Sequence, residues 1–139
     1  MKRIVFKNLD GSCGIIIPAP KALLEMTIEE IAAKDVPNGL SYRIADTVNV
    51  PADRTFRNAW TDDNPTQTVD VDMIKARDLH MDNLRVIRDK KMKLLDIEQM
   101  KGFDVSIAKQ ELRDIPQTYD LSVATTPEEL KLMVPASLL

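Results

Sequence analysis

The stretch that decides the fold is DMIKARDLHMDNLRVIRDKKMKLLDIEQMKGFD, residues 72–104. Asp70 or Asp72 can cap a helix at its start, and Gly102 is a typical C-terminal stop. The pattern predicts one helix of some 28 residues ending at about Met100, roughly 42 Å long at 1.5 Å per residue. Residues suited to a packed face recur along it at helical intervals, at Met73, Ala76, His80, Leu84, Ile87, Leu94 and Leu95.

A second helix is predicted from about residue 105 to 114, with Asp104 as its N-cap. The short link KGFD, residues 101–104, makes the two helices antiparallel neighbours. Pro116 is expected to end this hairpin, because proline cannot donate the backbone hydrogen bond that a continuing helix needs. The predicted seam between the two helices consists of Leu84, Ile87, Leu94, Leu112 and Ile115.

The long helix carries a second set of apolar residues. Leu79, Val86 and Ile97 lie on the side opposite to the principal stripe. Two interpretations stay open: isolated apolar residues are common on protein surfaces, or these three pack against a partner, which could be another copy of the chain. With Arg85 and Arg88 they form the predicted partner-facing surface.

The N-terminal half reads as a small sheet with one helix. KRIVFKNLDGSCGIIIP, residues 2–18, is typical of a β-hairpin turning near Asp10-Gly11. TIEEIAAKD, residues 27–35, predicts a helix with a Thr27–Glu30 capping box. Three further strands are expected, at SYRIA (41–45), RTFRNAW (54–60) and TQTVDV (66–71).

These elements predict an α+β fold in three parts. A small β-rich head with one short helix occupies residues 1–71, and the long-helix antiparallel hairpin occupies residues 72–116. Residues 117–139 form a C-terminal loop and a short helix that packs back. In that last helix, Thr126 is the expected cap, Pro127 the first helical residue, and Glu129 the partner of Thr126 in a capping box.

Composition excludes several classes of function. The 139 residues include 19 basic and 22 acidic side chains, a net charge of −3, so nucleic-acid binding is not expected. No stretch approaches the roughly 20 apolar residues of a membrane helix. The N-terminus is unlike a signal peptide, and the single cysteine indicates a reducing compartment. The basic run RDKKMK, residues 88–93, is expected to be a solvated helix face, with an acidic partner as the alternative.

No set of catalytic groups is evident, so the protein is predicted not to be an enzyme and to hold no cofactor or metal. His80 is the only histidine, and Asp78 and Asp82 point away from it because they are two positions distant on a helix. Cys13 has no accompanying zinc-ligand spacing. Trp60, the only tryptophan, is expected to anchor the core of the head. An open alternative is a small ligand-binding protein or enzyme that uses Trp60 and His80.

Four segments in this order resemble small proteins of tailed-phage and prophage gene sets: FRNAW (56–60), VDVDMIKARDLHMDNLRVIRDKKMKLLD (69–96), KQELRDIP (109–116) and TTPEELKLMVP (125–135). The matching positions are the Arg-x-x-Arg step Arg85/Arg88, the triplet Leu94-Leu95-Asp96, and the Gln-x-Leu-Arg-Asp-x-Pro ending Gln110–Pro116. The helical hairpin is also similar to the module of phage tail assembly chaperones and tail-fibre assembly proteins.

The resemblance implies a virion structural or assembly protein, associated with the tail or tail fibre. Its partners would be other phage structural proteins, contacted through the hairpin, and a homo-oligomer is possible. It would be found in the virion, or in the host cytoplasm during assembly. A capsid decoration or head–tail connector protein is the alternative within this class. The resembling proteins have no recognised catalytic residues, so none is carried over.

Overall fold

The computed structural model describes residues 1–139 and has two compact units, Met1–Asp72 and Met73–Leu139. We call these the N-terminal unit and the C-terminal unit. The predicted α+β class is confirmed: a small β region comes first, followed by a long helix, a second helix and a short C-terminal helix. None of these helices combines the length and the apolar character that crossing a bilayer requires.

The N-terminal unit is built on a three-stranded antiparallel sheet in the order β2-β1-β3. Its strands are β1 (Lys2–Lys7), β2 (Cys13–Ile16) and β3 (Tyr42–Asp46), as predicted. The loop between β1 and β2 is longer than a two-residue turn and contains Gly11 at a φ of +84°, a conformation that glycine adopts without strain. Val5 pairs with Ile15 on one side and with Arg43 on the other.

Alternating side chains give this sheet two packed faces. Two helices belong to the unit: α1 (Ala22–Glu25), which the sequence did not predict, and α2 (Ile28–Asp35), whose Thr27–Glu30 capping box is confirmed. On one face Ile4 packs with α2 in a cluster of buried residues, Ile4, Ile31, Ala32 and Val36. The opposite face carries a second cluster, Val5, Ala45, Trp60 and Val69. Trp60 therefore anchors the core, as predicted.

The two strands predicted over residues 54–60 and 66–71 are mostly absent. Arg57–Ala59 forms a 3₁₀ turn, and only β4 (Trp60–Thr61) and β5 (Asp70–Val71) pair, as a two-residue antiparallel ribbon. Side chains of the intervening loop bond one another, as when Asn64 Nδ2 donates to Asp70 Oδ2 at 2.6 Å. Local polar bonds thus replace the ladder that the Thr-rich sequence suggested.

The C-terminal unit begins with α3 (Met73–Met100), the predicted 28-residue helix. It ends where Gly102 adopts a φ of +95°, as expected of a glycine C-terminal stop. The following helix, α4 (Ser106–Thr118), has Val105 at its N-cap rather than the predicted Asp104. The Asp104 carboxylate accepts hydrogen bonds from Ser106 N at 3.0 Å and Ser106 Oγ at 2.7 Å, just before the first turn. These bonds lower the pKa of Asp104.

Pro116 does not end the hairpin helix, contrary to the prediction. It lies inside α4, which continues to Thr118. Proline removes one backbone donor, but the next carbonyls still find partners: Thr118 Oγ1 donates to Asp114 O at 2.8 Å and Tyr119 N to Ile115 O at 2.9 Å. The missing bond is thus confined to one position near the helix end, where its cost is smallest.

The C-terminal segment packs back along α3, and two basic residues of α3 hold it. The segment contains α5 (Pro127–Lys131) between 3₁₀ turns at Leu121–Val123 and Ala136–Leu138, and α3 contacts all three. Arg77 Nη2 donates to Ala124 O at 2.8 Å, and Lys91 Nζ donates to the main-chain oxygens of Ser137 and Leu139 at 3.0 and 2.7 Å. Arg77 and Lys91 can lie on the packed face of α3, among Ala76, His80 and Leu84, because their side chains bind main-chain oxygens.

The capping box predicted for α5 is shifted by one residue. Thr126 Oγ1 accepts from Glu129 N at 3.2 Å, as expected of an N-cap. The Glu129 carboxylate, however, accepts from Thr125 N at 2.8 Å rather than from the cap residue itself. Hydrogen bonds from Thr125 lower the pKa of Glu129. The carboxylate therefore stabilises the chain as it enters the helix.

The predicted helix seam is partly wrong. Leu84, Leu112 and Ile115 are buried, as expected. Ile87 and Leu94 are exposed, because α3 packs against the C-terminal segment as well as α4 and turns these two positions away from both. The end of the seam nearest the hairpin turn is polar instead, because Lys109 Nζ of α4 lies 2.5 Å from Asp96 Oδ1 of α3.

Candidate functional site

The predicted partner-facing residues lie on α3 with their side chains accessible. Val86 and Ile97 are exposed, and Leu79 is partly buried. Arg85 Nη1 lies 2.6 Å from Asp82 Oδ1, and Arg88 Nη2 lies 2.8 Å from Asp89 Oδ1. Both arginines thus form local ion pairs on the helix surface, where such pairs contribute little to stability.

Ile87 and Leu94, misassigned to the seam, extend this surface. Positions 79, 86, 87, 94 and 97 are separated by seven, one, seven and three residues, spacings that place them on one side of an α-helix. We call these five residues the apolar stripe of α3. The exposed fractions are 55% for Val86, 40% for Ile87, 61% for Leu94 and 49% for Ile97. Four aliphatic side chains therefore remain open along one helix face.

Two lysines without ion-pair partners lie at the apolar stripe. Lys90 lies within it by helical spacing, and Lys93 flanks it; both are exposed, and neither takes part in the ion pairs of the chain. Lys101, at the end nearest the hairpin turn, lies 3.0 Å from Glu98. The surface thus combines an aliphatic stripe with two ammonium groups that form no ion pair with a carboxylate of the chain.

Motif residues singled out by the resemblance have structural contacts within the hairpin. Asp96 binds Lys109 across the two helices. Gln110 Nε2 donates to Asp114 Oδ1 at 2.8 Å along α4, and Leu112 is buried. Beyond these contacts, at the turn of the hairpin, Met100, Phe103 and Ile107 are exposed. The motif therefore stabilises the hairpin, which carries the apolar stripe at its side and further apolar residues at its turn.

His80 is buried and bonded to the backbone. Its Nε2 lies 2.7 Å from Met133 O, and since a carbonyl oxygen only accepts, the histidine donates from Nε2. The contact joins α3 to the segment after α5, so a structural role accounts for this nitrogen.

Trp60 has a different environment. It is 5% exposed and lies against a cavity of about 250 Å³ whose lining residues all belong to the N-terminal unit. His80 is not among them, so the two residues of the ligand-binding alternative do not share this cavity. The lining does include three arginines, Arg3, Arg54 and Arg57, which the sequence did not single out.

Cys13 lies on β2 beside the Trp60 cluster and is half-buried. Burial, with a smaller contribution from the Asp62 carboxylate, raises the pKa of its thiol from 9.0 to about 11. A thiol of this kind is protonated at neutral pH, so Cys13 is poorly suited to nucleophilic or metal-binding chemistry.

We expect Cys13 to react with an alkylating or disulfide reagent at pH 8 about 100-fold more slowly in the folded protein than in urea. A pKa of about 11 leaves roughly 100-fold less thiolate at that pH than a pKa of 9.0 does. The unfolded chain is the control, because Cys13 is its only thiol. Equal reaction rates in the two states would show that the Cys13 thiol is not buried and that its pKa is not raised.

The residues show no group of three or more His, Cys, Asp or Glu side chains placed to hold a metal ion. No protein-family model, curated protein or solved structure matches the chain. Function must therefore be inferred from the surfaces described above, together with the resemblance of the four sequence segments.

Proposed function

We propose that the protein is a phage or prophage structural or assembly protein, associated with the tail or tail fibre, that docks onto another structural protein through the apolar stripe of α3. The observation that supports this most is the row of exposed aliphatic side chains at Val86, Ile87, Leu94 and Ile97. Exposed apolar side chains gathered on one face are typical of sites where another macromolecule binds.

The geometry suits an elongated partner element. A helix packed along the apolar stripe would contact side chains seven residues apart, as Ile87 and Leu94 are, and side chains about one turn apart, as Leu94 and Ile97 are. Amphipathic helices dock on one another through contacts spaced in this way. Removing apolar surface from water contributes roughly 25 cal/mol per Å². The hairpin contacts through Asp96 and Lys109 stabilise the surface before a partner arrives, which reduces the ordering that binding requires.

The charge pattern favours a partner with acidic residues beside its apolar face. Lys90 and Lys93 lie at the stripe without carboxylate partners in the chain. Complementary charges steer association and disfavour wrong partners. A second copy would present the same two lysines, so we propose that the partner is a different protein, and self-association is an outcome that the experiment distinguishes.

The assignment to a phage rests on the sequence segments. Arg85/Arg88 and Leu94-Leu95-Asp96, two of the resembling motifs, lie within or next to the apolar stripe. The third motif, Gln110–Pro116, lies in the helix that packs against α3. The proposed location is the virion, or the host cytoplasm during assembly.

The test is the double substitution Val86→Glu with Ile97→Glu. We expect it to weaken binding to the partner at least tenfold, because two carboxylates would enter an apolar contact next to an acidic partner. Binding is measured by titration against each separately purified structural protein of the same genome. The matched control is Val123→Glu, which adds a carboxylate at an exposed apolar residue of the same unit away from the stripe.

Circular dichroism of both variants separates docking from folding. A folded double variant that binds as well as the control contradicts the proposal, and an unfolded one shows that Val86 and Ile97 are core residues. Sedimentation of the protein alone reports self-association through the same stripe. If the protein is found in purified phage particles, it is a permanent component of the tail or, in the alternative, of the capsid or connector. If it is absent from them, it has an assembly role.

A further inference from the structure

We propose that the N-terminal unit binds a small organic anion, a carboxylate or phosphate ester on an apolar body, in the cavity beside Trp60. This inference does not depend on the apolar stripe of α3, which belongs to the other unit. The cavity has a volume of about 250 Å³. That lies just below the roughly 300–1,000 Å³ of sites for drug-sized ligands, so the ligand is a small molecule.

The walls of the cavity combine two kinds of chemistry. Ile15, Val50 and Trp60 supply an apolar surface, and they belong to the cluster on one face of the sheet. Arg3, Arg54 and Arg57 supply three guanidinium groups. No aspartate or glutamate lines the cavity, and none of the three arginines takes part in the ion pairs of the chain.

Two buried donors at this cavity lack acceptors. The Nε1 atom of Trp60 and the Nη1 atom of Arg3 each have an accessible area below 1 Å² and no hydrogen-bond partner in the protein. Buried donors without partners are uncommon in folded proteins, because each costs about 1–3 kcal/mol. Both belong to residues that line the same cavity; the third such atom of the chain, Arg77 Nε, lies in α3 of the C-terminal unit.

On the same face of the sheet, the positive charge of a second arginine, Arg43, is neutralised by a carboxylate of the chain. Arg3 and Arg43 both lie on the face that carries Val5, since Val5 is two residues from Arg3 and pairs with Arg43. The Arg43 guanidinium binds the Asp62 carboxylate, with Nε 3.1 Å from Oδ2, and this bond raises the pKa of Arg43. Arg3 has no such partner. An anion from solution would supply the missing charge.

The ligand class follows from these walls. Guanidinium groups bind carboxylate and phosphate oxygens with paired hydrogen bonds. The apolar residues beside Arg3 would hold a ring or short aliphatic chain attached to the anionic group. Both a carboxylate and a phosphate ester satisfy this description, and the experiment separates them.

The test uses Trp60 as a built-in reporter, since it is the only tryptophan of the chain. Its emission and the NMR resonance of its indole N–H are followed during titration with phenyl phosphate and, separately, benzoate. Benzyl alcohol serves as the neutral analogue and inorganic phosphate as the anion without an apolar body. We expect saturable shifts of the Trp60 signals with one or both organic anions. Benzyl alcohol and inorganic phosphate should bind at least tenfold more weakly. Whichever organic anion binds more tightly identifies the ligand class.

Substitutions locate the site. Arg3→Met is expected to raise the Kd for the organic anion about tenfold or more, the scale of one lost charge-assisted hydrogen bond. Lys34→Met, which removes one exposed positive charge from α2 of the same unit, is the matched control and should leave the Kd unchanged. If Arg3→Met does not fold, the pair Arg54→Gln and Arg57→Gln, both at exposed positions, replaces it.

Several results would overturn the proposal. Equal binding of benzyl alcohol would indicate an apolar cavity without charge selectivity, and equal binding of inorganic phosphate would indicate an adventitious ion only. An unchanged Trp60 signal up to millimolar ligand, or equal losses in Lys34→Met and the arginine variants, would also exclude it. None of these results bears on the docking of α3, which is measured with a protein partner.

Discussion

Replacing Leu84 with alanine is expected to destabilise the C-terminal unit by about 2–5 kcal/mol. Leu84 lies in the middle of α3 and is 1% exposed, so its truncation both loses transfer free energy and leaves a cavity. The measurement is unfolding in urea, monitored by the α-helical signal in circular dichroism. Trp60 fluorescence in the same samples reports on the N-terminal unit, which contains the only tryptophan.

Leu94→Ala is the matched control for this experiment. It makes the same chemical change on the same helix, at a side chain that is mostly in solvent. We expect a change within about 0.5 kcal/mol, as is usual for surface positions. Similar losses at both positions would mean that Leu94 is part of the helix seam after all, as the sequence pattern first indicated.

Replacing Gly14 with alanine is expected to destabilise the N-terminal unit by about 1–3 kcal/mol. Gly14 pairs with Phe6 across β1 and β2, and the phenyl ring lies over it. A β-carbon at Gly14 would lie 2.7 Å or less from three ring atoms, closer than carbon atoms approach. The ring would have to leave its place against the cluster around Ile4. Trp60 fluorescence during urea unfolding measures the loss.

A double-mutant cycle with Phe6→Leu isolates the steric cause. The smaller side chain removes the ring that the new methyl group would meet, so the double variant should lose clearly less stability than the two single losses added together. Strictly additive losses would contradict the steric account. They would instead point to a cause other than the Phe6 ring, because the lower conformational entropy of alanine in the unfolded chain would by itself stabilise the folded state.

The parts of the fold that the sequence predicted are those with a strong local signal. Apolar residues recur at helical intervals along the 28 residues of α3, and Gly102 marks the end of the helix. The capping box at Thr27 and Glu30 specifies the start of α2 through contacts only three residues apart. In each case the stabilising partner is a near neighbour in the chain, so the sequence contains the interaction.

The elements that the sequence did not predict depend on distant partners or on short-range polar bonds. The region from Arg54 to Val71 contains only two-residue strands, too short to show a period. The helix α4 passes Pro116 because the carbonyls of Asp114 and Ile115 accept hydrogen bonds from Thr118 and Tyr119. Ile87 and Leu94 face away from the seam because the C-terminal segment also packs along α3.

The candidate sites divide in the same way. Helical spacing predicted that Leu79, Val86 and Ile97 lie away from the principal packed face, and their interpretation as a docking surface stays a proposal. The cavity beside Trp60 had no signal in the sequence. It combines Arg3 with Arg54 and Arg57, which are some fifty positions away and come together only where the strands and the loop after β3 meet.

By itself the sequence determined the class of the fold, the long helix and its end, and the alternation of the first strands, because periodicity and capping act between residues a few positions apart. Only the tertiary structure decided which side of α3 stays open and which arginines share a cavity. Both depend on what packs against each residue from distant parts of the chain, and no local pattern records that.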